Sequence, residues 1–198
     1  MQKYPQAFEE LLHYLRKMPG VGRKTAEKFA FHILQWQKSD LSRFSSSLEK
    51  VRSTLRPCTK CGALQEETCL FCSDSSREKH TLCIVASARD IFLVEESRAF
   101  RGQYHAIEKL LSPIEGIDES FLRLEALTQR MQSEPIQEVI FALESTVEGD
   151  ATTLFLKEFL ERFSVTTSRL ALGIPMGLSL EYTDGGTLAQ AVTQRRSF

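Results

Sequence analysis

The first third of the chain carries apolar residues at helical spacing. They recur every three or four positions over residues 6–17 and 23–37, which predicts two amphipathic helices. Between them, the run from Met18 to Gly22 contains a proline and two glycines and breaks the pattern. A third helix is predicted as far as residue 55, with Ser39 and Asp40 as candidate caps. Its apolar positions are Leu41, Phe44, Leu48, Val51 and Leu55.

From residue 82 onward, short apolar runs alternate with amphipathic segments. The predicted strands cover residues 82–86, 103–107, 136–143 and 169–172, and the predicted helices cover residues 90–96, 119–130 and 150–163. Strands that alternate with helices indicate a mostly parallel sheet that is covered on both faces. Residues 173–184 can add a strand before a last helix over residues 188–194. The helix over residues 150–163 is expected to turn these side chains inward: Leu154, Phe155, Phe159 and Phe163.

Four cysteines separate the helical pattern from the strand pattern. Cys58, Cys61, Cys69 and Cys72 form two Cys-x2-Cys pairs with seven residues between them. Two such pairs can place four thiolates around one ion, so the spacing predicts one structural Zn2+ per chain. The alternatives are four unrelated thiols or two disulfides, and disulfides need an oxidising compartment, which nothing in the sequence indicates. The fifth cysteine, Cys83, lies in the apolar run LCIVA and is expected to be a core thiol.

The charge of the chain is divided along its length. Residues 1–57 hold 11 Lys and Arg against 5 Asp and Glu, whereas residues 82–198 hold 11 against 17. The basic part is therefore a candidate for binding a polyanion, and the acidic part for binding a metal or a basic protein, although ordinary solvated surface also produces such asymmetry. No run approaches the ~20 apolar residues of a membrane span, and the first residues lack the layout of a signal peptide. These features predict a cytoplasmic protein with no membrane partner.

The break between the first two helices has the form of a helix–hairpin–helix. Gly20 and Gly22 leave no Cβ in the way of a phosphate, and the unpaired N–H groups at the start of the next helix would point at it. Arg23, Lys24 and Lys28 add positive charge beside that helix end. Contacts of this kind hold DNA without reading its sequence. The alternative is a glycine turn that serves only the packing of two helices.

An acidic loop follows the strongest predicted strand. Glu144, Glu148 and Asp150 stand at the carboxyl end of this strand, where α/β sheets place their sites. The loop resembles the second acidic motif of Toprim domains, which bind Mg2+ in topoisomerases and primases. Toprim domains have a second aspartate where this chain has Thr146, and a first-strand glutamate where it has Ala86. Mg2+ is therefore not expected, and the acids can instead complement the pole of the following helix.

The order of these parts resembles the RecR family of bacterial recombination mediators, over nearly the whole chain. The segments that carry the resemblance are residues 18–24, the four cysteines, and residues 111–117, 146–152, 173–175 and 184–188. The resemblance implies a fold of the α+β class in four parts. They are a helix–hairpin–helix DNA-binding domain over residues 1–56, a four-cysteine zinc finger over 57–80, a Toprim-like α/β domain over 81–172, and a C-terminal segment and tail over 173–198.

The resemblance also implies a function. Members of this family act without catalysis in the RecFOR pathway, where they work with RecO and RecF to help load RecA at single-stranded gaps. They form ring-like tetramers that can encircle DNA. Lys24 and Lys28 match DNA-contacting positions of the family, the Toprim-like face that carries the acidic loop meets RecO, and Asp184 ends a Walker B-like segment used in subunit contact.

Two other functions are consistent with the sequence. One is a Toprim-type Mg2+-dependent phosphotransferase or nuclease, which the missing first-strand acid disfavours. The other is a zinc adaptor that binds only protein. We expect the zinc to fix the angle between the basic helical part and the acidic sheet part, rather than to read DNA.

Overall fold

The chain folds into two compact units, Met1–Leu55 and Arg56–Phe198. The computed structural model describes residues 3–171 and 173–195. The four cysteines belong to the second unit, together with the sheet. None of the described helices has the length and apolar content needed to span a membrane.

The first unit contains three helices. They are α1 (Gln6–Leu15), α2 (Arg23–Ile33) and α3 (Lys38–Thr54). Helices α1 and α2 pack through Leu12 and Leu15 on one side and Ala26 and Ala30 on the other, all four of them buried. The two alanines lie one helical turn apart, and their small side chains leave room for the leucines of α1. The sequence prediction of these two helices is confirmed, although both end a few residues early.

Helix α3 differs from the prediction in its start, and its apolar residues are exposed. It begins at Lys38 after an extended Gln37, and no side chain caps it. Ser39 and Asp40 were expected as caps, but both lie within the first turn, where Asp40 complements the helix pole. No residue of α3 is buried. Its apolar stripe is 39–56% exposed: Leu41, Phe44, Leu48 and Val51.

The second unit is built on a four-stranded sheet whose strands are all parallel. Strand order is β4-β3-β5-β6, and a separate small antiparallel pair, β1-β2, precedes the sheet. The strands are β1 (Arg56–Pro57), β2 (Leu64–Gln65), β3 (Thr81–Val85), β4 (Gln103–Ala106), β5 (Glu138–Ala142) and β6 (Thr166–Arg169). The helices are α4 (Ala88–Glu96), α5 (Leu124–Ser133), α6 (Val147–Leu160) and α7 (Gly185–Thr193). The predicted α+β class with a parallel sheet is confirmed.

The two faces of the sheet are covered by different parts of the chain. Alternate residues of β3 point to opposite sides, so that Leu82 and Ile84 face α5 and α6, while Cys83 and Val85 face the other way. That other face packs against α4 and against the four-cysteine segment. The cysteine segment therefore shares the core of the sheet, because it has too few residues to form one of its own.

Several boundaries differ from the sequence prediction. The helix expected over residues 119–130 is broken at Arg123, whose φ is 52°, into a 3-10 turn (Glu119–Leu122) and α5. Helix α6 begins three residues before the expected residue 150, because Thr146 caps it. Leu154 was expected to face inward but is 68% exposed, whereas Leu156 and Leu160 are fully buried.

The end of the chain also differs. Strand β6 begins at Thr166, before the strand predicted over residues 169–172, of which Leu172 lies outside the described residues. No strand follows it in the part of the chain that the structure describes, where residues 173–184 contain only the short 3-10 helix Leu180–Tyr182. Helix α7 then begins at Gly185, three residues earlier than predicted, because Asp184 caps it.

Candidate metal centre and nucleic-acid interface

The four cysteines come together as one cluster. The Sγ atoms all lie within 4.8 Å of one another, with 3.9 Å between Cys58 and Cys72 and 3.4 Å between Cys61 and Cys69. Four sulfur ligands at ~2.3 Å from a zinc ion would stand about 3.8 Å apart, close to these distances. A disulfide would need ~2.05 Å, and all four thiols are free. The cluster could therefore hold a metal ion, and its thiol donors fit Zn2+.

Backbone groups turn the first cysteine pair inward and interact with its sulfur atoms. Gly62 N–H donates to the Cys58 carbonyl at 2.8 Å, and Ala63 N–H donates to Cys61 Sγ at 3.5 Å. Burial opposes ionisation of Cys58, but hydrogen bonds from the backbone N–H groups of Cys61 and Lys60 prevail and lower its pKa. The hydrogen bond with Cys72, together with burial, raises the pKa of Cys61. A metal cation would offset the cost of ionising such buried thiols.

An arginine attaches this first pair to the sheet. The guanidinium of Arg123 donates to the carbonyl oxygens of Ala106 at 3.0 Å, Cys58 at 3.2 Å and Thr59 at 2.5 Å. Gly62 lies beneath it with φ +81°, and a Cβ at that position would stand 2.9 Å from the Ala106 Cβ. Arg123 and Gly62 therefore position the cysteine turn, and no motif in the sequence marks either of them.

The second pair is held by an aromatic cluster. Phe71, which lies between Cys69 and Cys72, meets the Tyr104 ring with 5.5 Å between centroids. The guanidinium of Arg77 lies over both rings, 5.1 Å from the Phe71 centroid and 5.4 Å from that of Tyr104. Arg77 also pairs with Glu95 at 2.5 Å, and the Tyr104 hydroxyl donates to the same carboxylate at 2.6 Å. Both cysteine pairs are thus fixed to one face of the sheet.

The fifth cysteine takes no part in the cluster. Cys83 is buried in β3, and burial raises the pKa of its thiol to about 12. Such a thiol is not ionised at neutral pH and does not react readily. The expectation of a core thiol is confirmed.

The hairpin between α1 and α2 leaves a helix end without a cap. Gly20 has φ +76°, a conformation that glycine adopts without strain, and the extended Gly22 leads into Arg23 as the first residue of α2. No side chain caps α2, and its first turn contains no acidic residue. Helices α1, α3 and α5 also lack a side-chain cap, but each has an acidic residue in its first turn, whereas α4 begins with a capping box and α6 and α7 with a side-chain cap. The N–H groups that begin α2 can therefore meet an external anion.

The three predicted cations of the hairpin are not equivalent. Arg23 Nε lies 3.4 Å from the Glu27 carboxylate, which also pairs with Lys3 at 3.2 Å. Lys24 and Lys28 are exposed, and within residues 3–171 and 173–195 no carboxylate lies at ion-pair distance from either. Lys24 and Lys28 are thus the cations best able to bind an anion, while the charge of Arg23 is partly offset.

The acidic loop is organised by a glycine and an arginine. Thr146 Oγ1 accepts a hydrogen bond from Gly149 N–H at 3.1 Å and so caps α6. Asp150 pairs with Arg169 at 2.6 Å, and Arg169 also donates to the Glu144 carbonyl at 3.3 Å. Gly149 packs so tightly under the loop that a Cβ there would lie 2.0 Å from the Glu144 carbonyl oxygen. The roles of Arg169 and Gly149 follow from contacts that the sequence pattern does not indicate.

The acids of this region are not gathered into one cluster in the part of the chain that the structure describes. Among the described residues, the cysteines are the one cluster of three or more potential metal ligands. At the end of β3, Ser87 N–H and Oγ both donate to Asp90 at 2.8 Å, so this acid serves as part of a capping box for α4. Asp150 already forms an ion pair with Arg169. Of the three acids, only Glu144 and Glu148 line the neighbouring groove. The residues present do not fit the Toprim Mg2+ site.

Asp184 has a local partner. Its carboxylate accepts from the N–H and the hydroxyl of Thr187 at 3.0 and 2.7 Å, and these hydrogen bonds lower its pKa. The carboxylate therefore caps α7.

Three parts of the chain match models of known protein families. The family model for the helix-hairpin-helix of RecR matches residues 8–52, that for the Toprim domain matches residues 80–171, and that for the C-terminal part of RecR matches residues 173–196. Proteins described as recombination protein RecR are similar over their full length. The one from Protochlamydia amoebophila is 44% identical over 99% of this chain and 100% of its own. Those from Chlamydia pneumoniae and Chlamydia trachomatis serovar D are 44% and 42% identical, with both chains fully covered. The chain therefore belongs to the RecR family of recombination proteins.

Proposed function

We propose that this protein is a DNA-binding mediator of recombinational repair that acts without catalysis. The observation that carries the proposal is the beginning of α2, where an uncapped helix end follows a glycine turn and where Lys24 and Lys28 have no ion-pair partner among the described residues. Phosphate groups bind at such helix ends because the N–H groups and the helix dipole favour negative charge. Because the protein would act on DNA, we place it in the cytoplasm and propose no membrane partner.

The cysteine cluster would hold one zinc ion with a structural role. Four thiolates fill all four positions of a tetrahedral ion, so no position remains for a water or a substrate. The hydrogen bonds of Arg123 and the stacking of Phe71 place the cluster against the sheet. The ion would then stabilise the second unit as a whole. It would thereby also stabilise the surface that partner proteins recognise.

The proposal of a protein without catalytic activity rests on the acid set. Ala86 and Ser87 directly follow β3, where a Toprim enzyme needs a carboxylate, and Asp150 is neutralised by Arg169. Glu144 and Glu148 remain available, and we propose that they form part of a surface for a basic protein partner, RecO. RecF would be the second partner, and loading of RecA at single-stranded gaps the outcome.

The protein is proposed to work as a ring-like tetramer, with the segment around Asp184 in a subunit contact. The apolar stripe of α3 supports self-association, because a stripe of four exposed large side chains on one helix is unusual for a monomer. The C-terminal segment exposes further large apolar side chains: Met176, Leu178, Leu180, Tyr182 and Val192. A ring would also strengthen weak individual contacts with DNA, because the bound copies raise the effective concentration of the others.

Solution mass tests the assembly. Multi-angle light scattering of the protein is expected to give a multiple of 22.5 kDa, and Phe44→Glu/Leu48→Glu is expected to lower it, because two charges would enter the α3 stripe. Ser42→Glu/Ser46→Glu adds the same charge with the same spacing on another face of α3 and should leave the mass unchanged. A monomeric wild-type protein at micromolar concentration would refute the tetramer.

Charge reversal in the hairpin tests the DNA contact. Lys24→Glu/Lys28→Glu is expected to weaken binding of both single-stranded and duplex DNA at least about tenfold, or about 1.4 kcal/mol, because two phosphate contacts become repulsive. Fluorescence anisotropy at fixed salt measures the change. Circular dichroism and metal content show whether the fold is intact.

The control for this experiment lies in the same unit. Lys38→Glu/Lys50→Glu changes the net charge equally on exposed positions of α3. It should lower the affinity much less, since long-range attraction is largely screened beyond ~10 Å at 0.1 M salt. Equal losses for the two double variants would show that net charge, and not the hairpin, governs binding.

A further inference from the structure

Lys24 and Lys28, the lysines next to the hairpin, line a groove along α2. The groove has a volume of about 620 Å³ and is lined by Lys24, Glu27, Lys28, Phe31, His32 and Gln35. Lys24, Lys28 and His32 follow one another at intervals of four residues and therefore form a row on one side of the helix. The row begins at the glycine turn and runs two helical turns away from it.

Phe31 gives this groove an exposed aromatic side chain. Phe31 is 50% exposed, although its ring also contacts those of Phe8 at 4.8 Å and Tyr4 at 6.0 Å between centroids. The contacts with Phe8 and Tyr4 hold one part of the ring, and the rest remains open to solvent beside Lys28. Phe29 is similarly exposed, at 45%, but stands two residues away and so points about 200° around the helix from Phe31.

The one acid of the groove is already paired. Glu27 bonds to Lys3 at 3.2 Å and to Arg23 at 3.4 Å, and the hydrogen bond from Lys3 lowers its pKa. Its negative charge is therefore offset by two cations outside the groove lining. The charge that a ligand meets in the groove is that of Lys24 and Lys28.

We propose that this groove binds a segment of single-stranded DNA, with phosphates at Lys24 and Lys28 and an unpaired base stacked on Phe31. A positive groove with an aromatic ring suits single strands, because an unpaired base can offer its face to the ring. The bases of a duplex are stacked on one another and cannot. This inference rests on the proposed function, since the same lysines contact phosphate, and it adds a preference for single strands.

The experiment compares Phe31→Leu with Phe29→Leu. Leucine keeps the apolar contacts with Phe8 but cannot stack on a base. Anisotropy is measured with a 20-nucleotide oligothymidylate and with a 20-base-pair duplex in the same salt. Phe31→Leu should weaken single-strand binding about 5- to 100-fold and change duplex binding less than twofold, while Phe29→Leu should change neither. Phe31→Trp should retain single-strand binding.

A second probe needs no variant. An oligonucleotide of the same length with abasic sugars keeps every phosphate but has no base to stack. The wild-type protein should bind it about 5- to 100-fold more weakly than oligothymidylate, and Phe31→Leu should bind the two alike. This probe tests whether a base contributes to binding even if Phe31→Leu fails to fold, and equal affinity of the wild-type protein for the two oligonucleotides would contradict the inference.

Three further results would overturn the inference. They are equal losses for single strands and duplex in Phe31→Leu, no loss in either, and a smaller solution mass for Phe31→Leu, which would assign Phe31 to a contact between copies of the chain. Each of these leaves the proposed function standing if Lys24→Glu/Lys28→Glu still weakens binding to both forms of DNA. Undiminished binding by that double variant would instead refute the proposed DNA contact itself.

Discussion

Replacing Cys61 by serine is expected to abolish binding of the proposed zinc ion and to lower the free energy of unfolding by more than about 4 kcal/mol. Cys61 is 1% exposed, and its Sγ lies 3.4 Å from that of Cys69. A serine hydroxyl is a poor ligand for zinc, so the three remaining thiols would lose both the ion and its charge. Cys58 and Cys69 would then be buried without a cation to offset their ionisation.

The loss is expected to spread beyond the cysteines because the cluster shares a core with the sheet. Phe71, Val85, Ile91 and Tyr104 are buried in the same hydrophobic cluster as the cysteine side chains. When the cysteine segment loosens, this face of the sheet becomes exposed to water, at roughly 25 cal/mol for each Å² of apolar surface. Thermal unfolding of the second unit should therefore shift together with the metal content.

Cys83→Ser provides the matched control. Cys83 is also buried, but it lies outside the metal cluster. The change should cost about 1–3 kcal/mol through burial of a hydroxyl and leave one zinc per chain, as measured by elemental analysis. A Cys61→Ser protein that keeps its zinc and its unfolding temperature would contradict the structural role of the cluster.

Replacing Gly149 by alanine is expected to destabilise the protein by about 3 kcal/mol and to displace the acidic loop. The new Cβ would lie 2.0 Å from the Glu144 carbonyl oxygen and 3.3 Å from Thr146 Oγ1. Because the first clash is with backbone, no rotation of a side chain relieves it. The loop must move away from α6 and lose the cap that Thr146 provides.

Gly185→Ala is the control for this change. Gly185 also lies in the first turn of a helix, but a Cβ there would meet nothing within 4 Å. Its replacement should be neutral or stabilise the protein by up to about 1 kcal/mol in chemical denaturation. Gly149→Ala should also weaken binding of the proposed basic partner, although Glu144 and Glu148 are still present. Equal stability of the two variants would show that the loop is not held as the structure describes.

The features that the sequence predicts well depend on local patterns. The spacing of Cys58, Cys61, Cys69 and Cys72 is enough to bring four thiols together, because each pair needs only one tight turn. The first two helices and the parallel sheet follow from periodic apolar residues. The glycine hairpin is equally local, and Gly20 takes the positive φ that its position requires.

The features that the sequence does not predict depend on contacts between distant residues. Arg123 bonds to carbonyl groups 17 to 65 residues away, and nothing near it in the sequence indicates this role. Arg169 neutralises Asp150 from a strand that follows the acidic loop. Helix α3 shows the limit of periodicity: its apolar stripe follows the helical period, yet the four side chains Leu41, Phe44, Leu48 and Val51 are 39–56% exposed.

The salt dependence of DNA binding tests the central claim, that the hairpin at the start of α2 contacts phosphates, most directly. Each phosphate contact with duplex DNA contributes about 0.9 to the slope of log K against log salt. Lys24→Ala/Lys28→Ala should reduce the magnitude of that slope by about 1.8 for each hairpin that touches the duplex, with zinc content and fold unchanged. A slope equal to that of the wild-type protein would show that these lysines do not contact DNA.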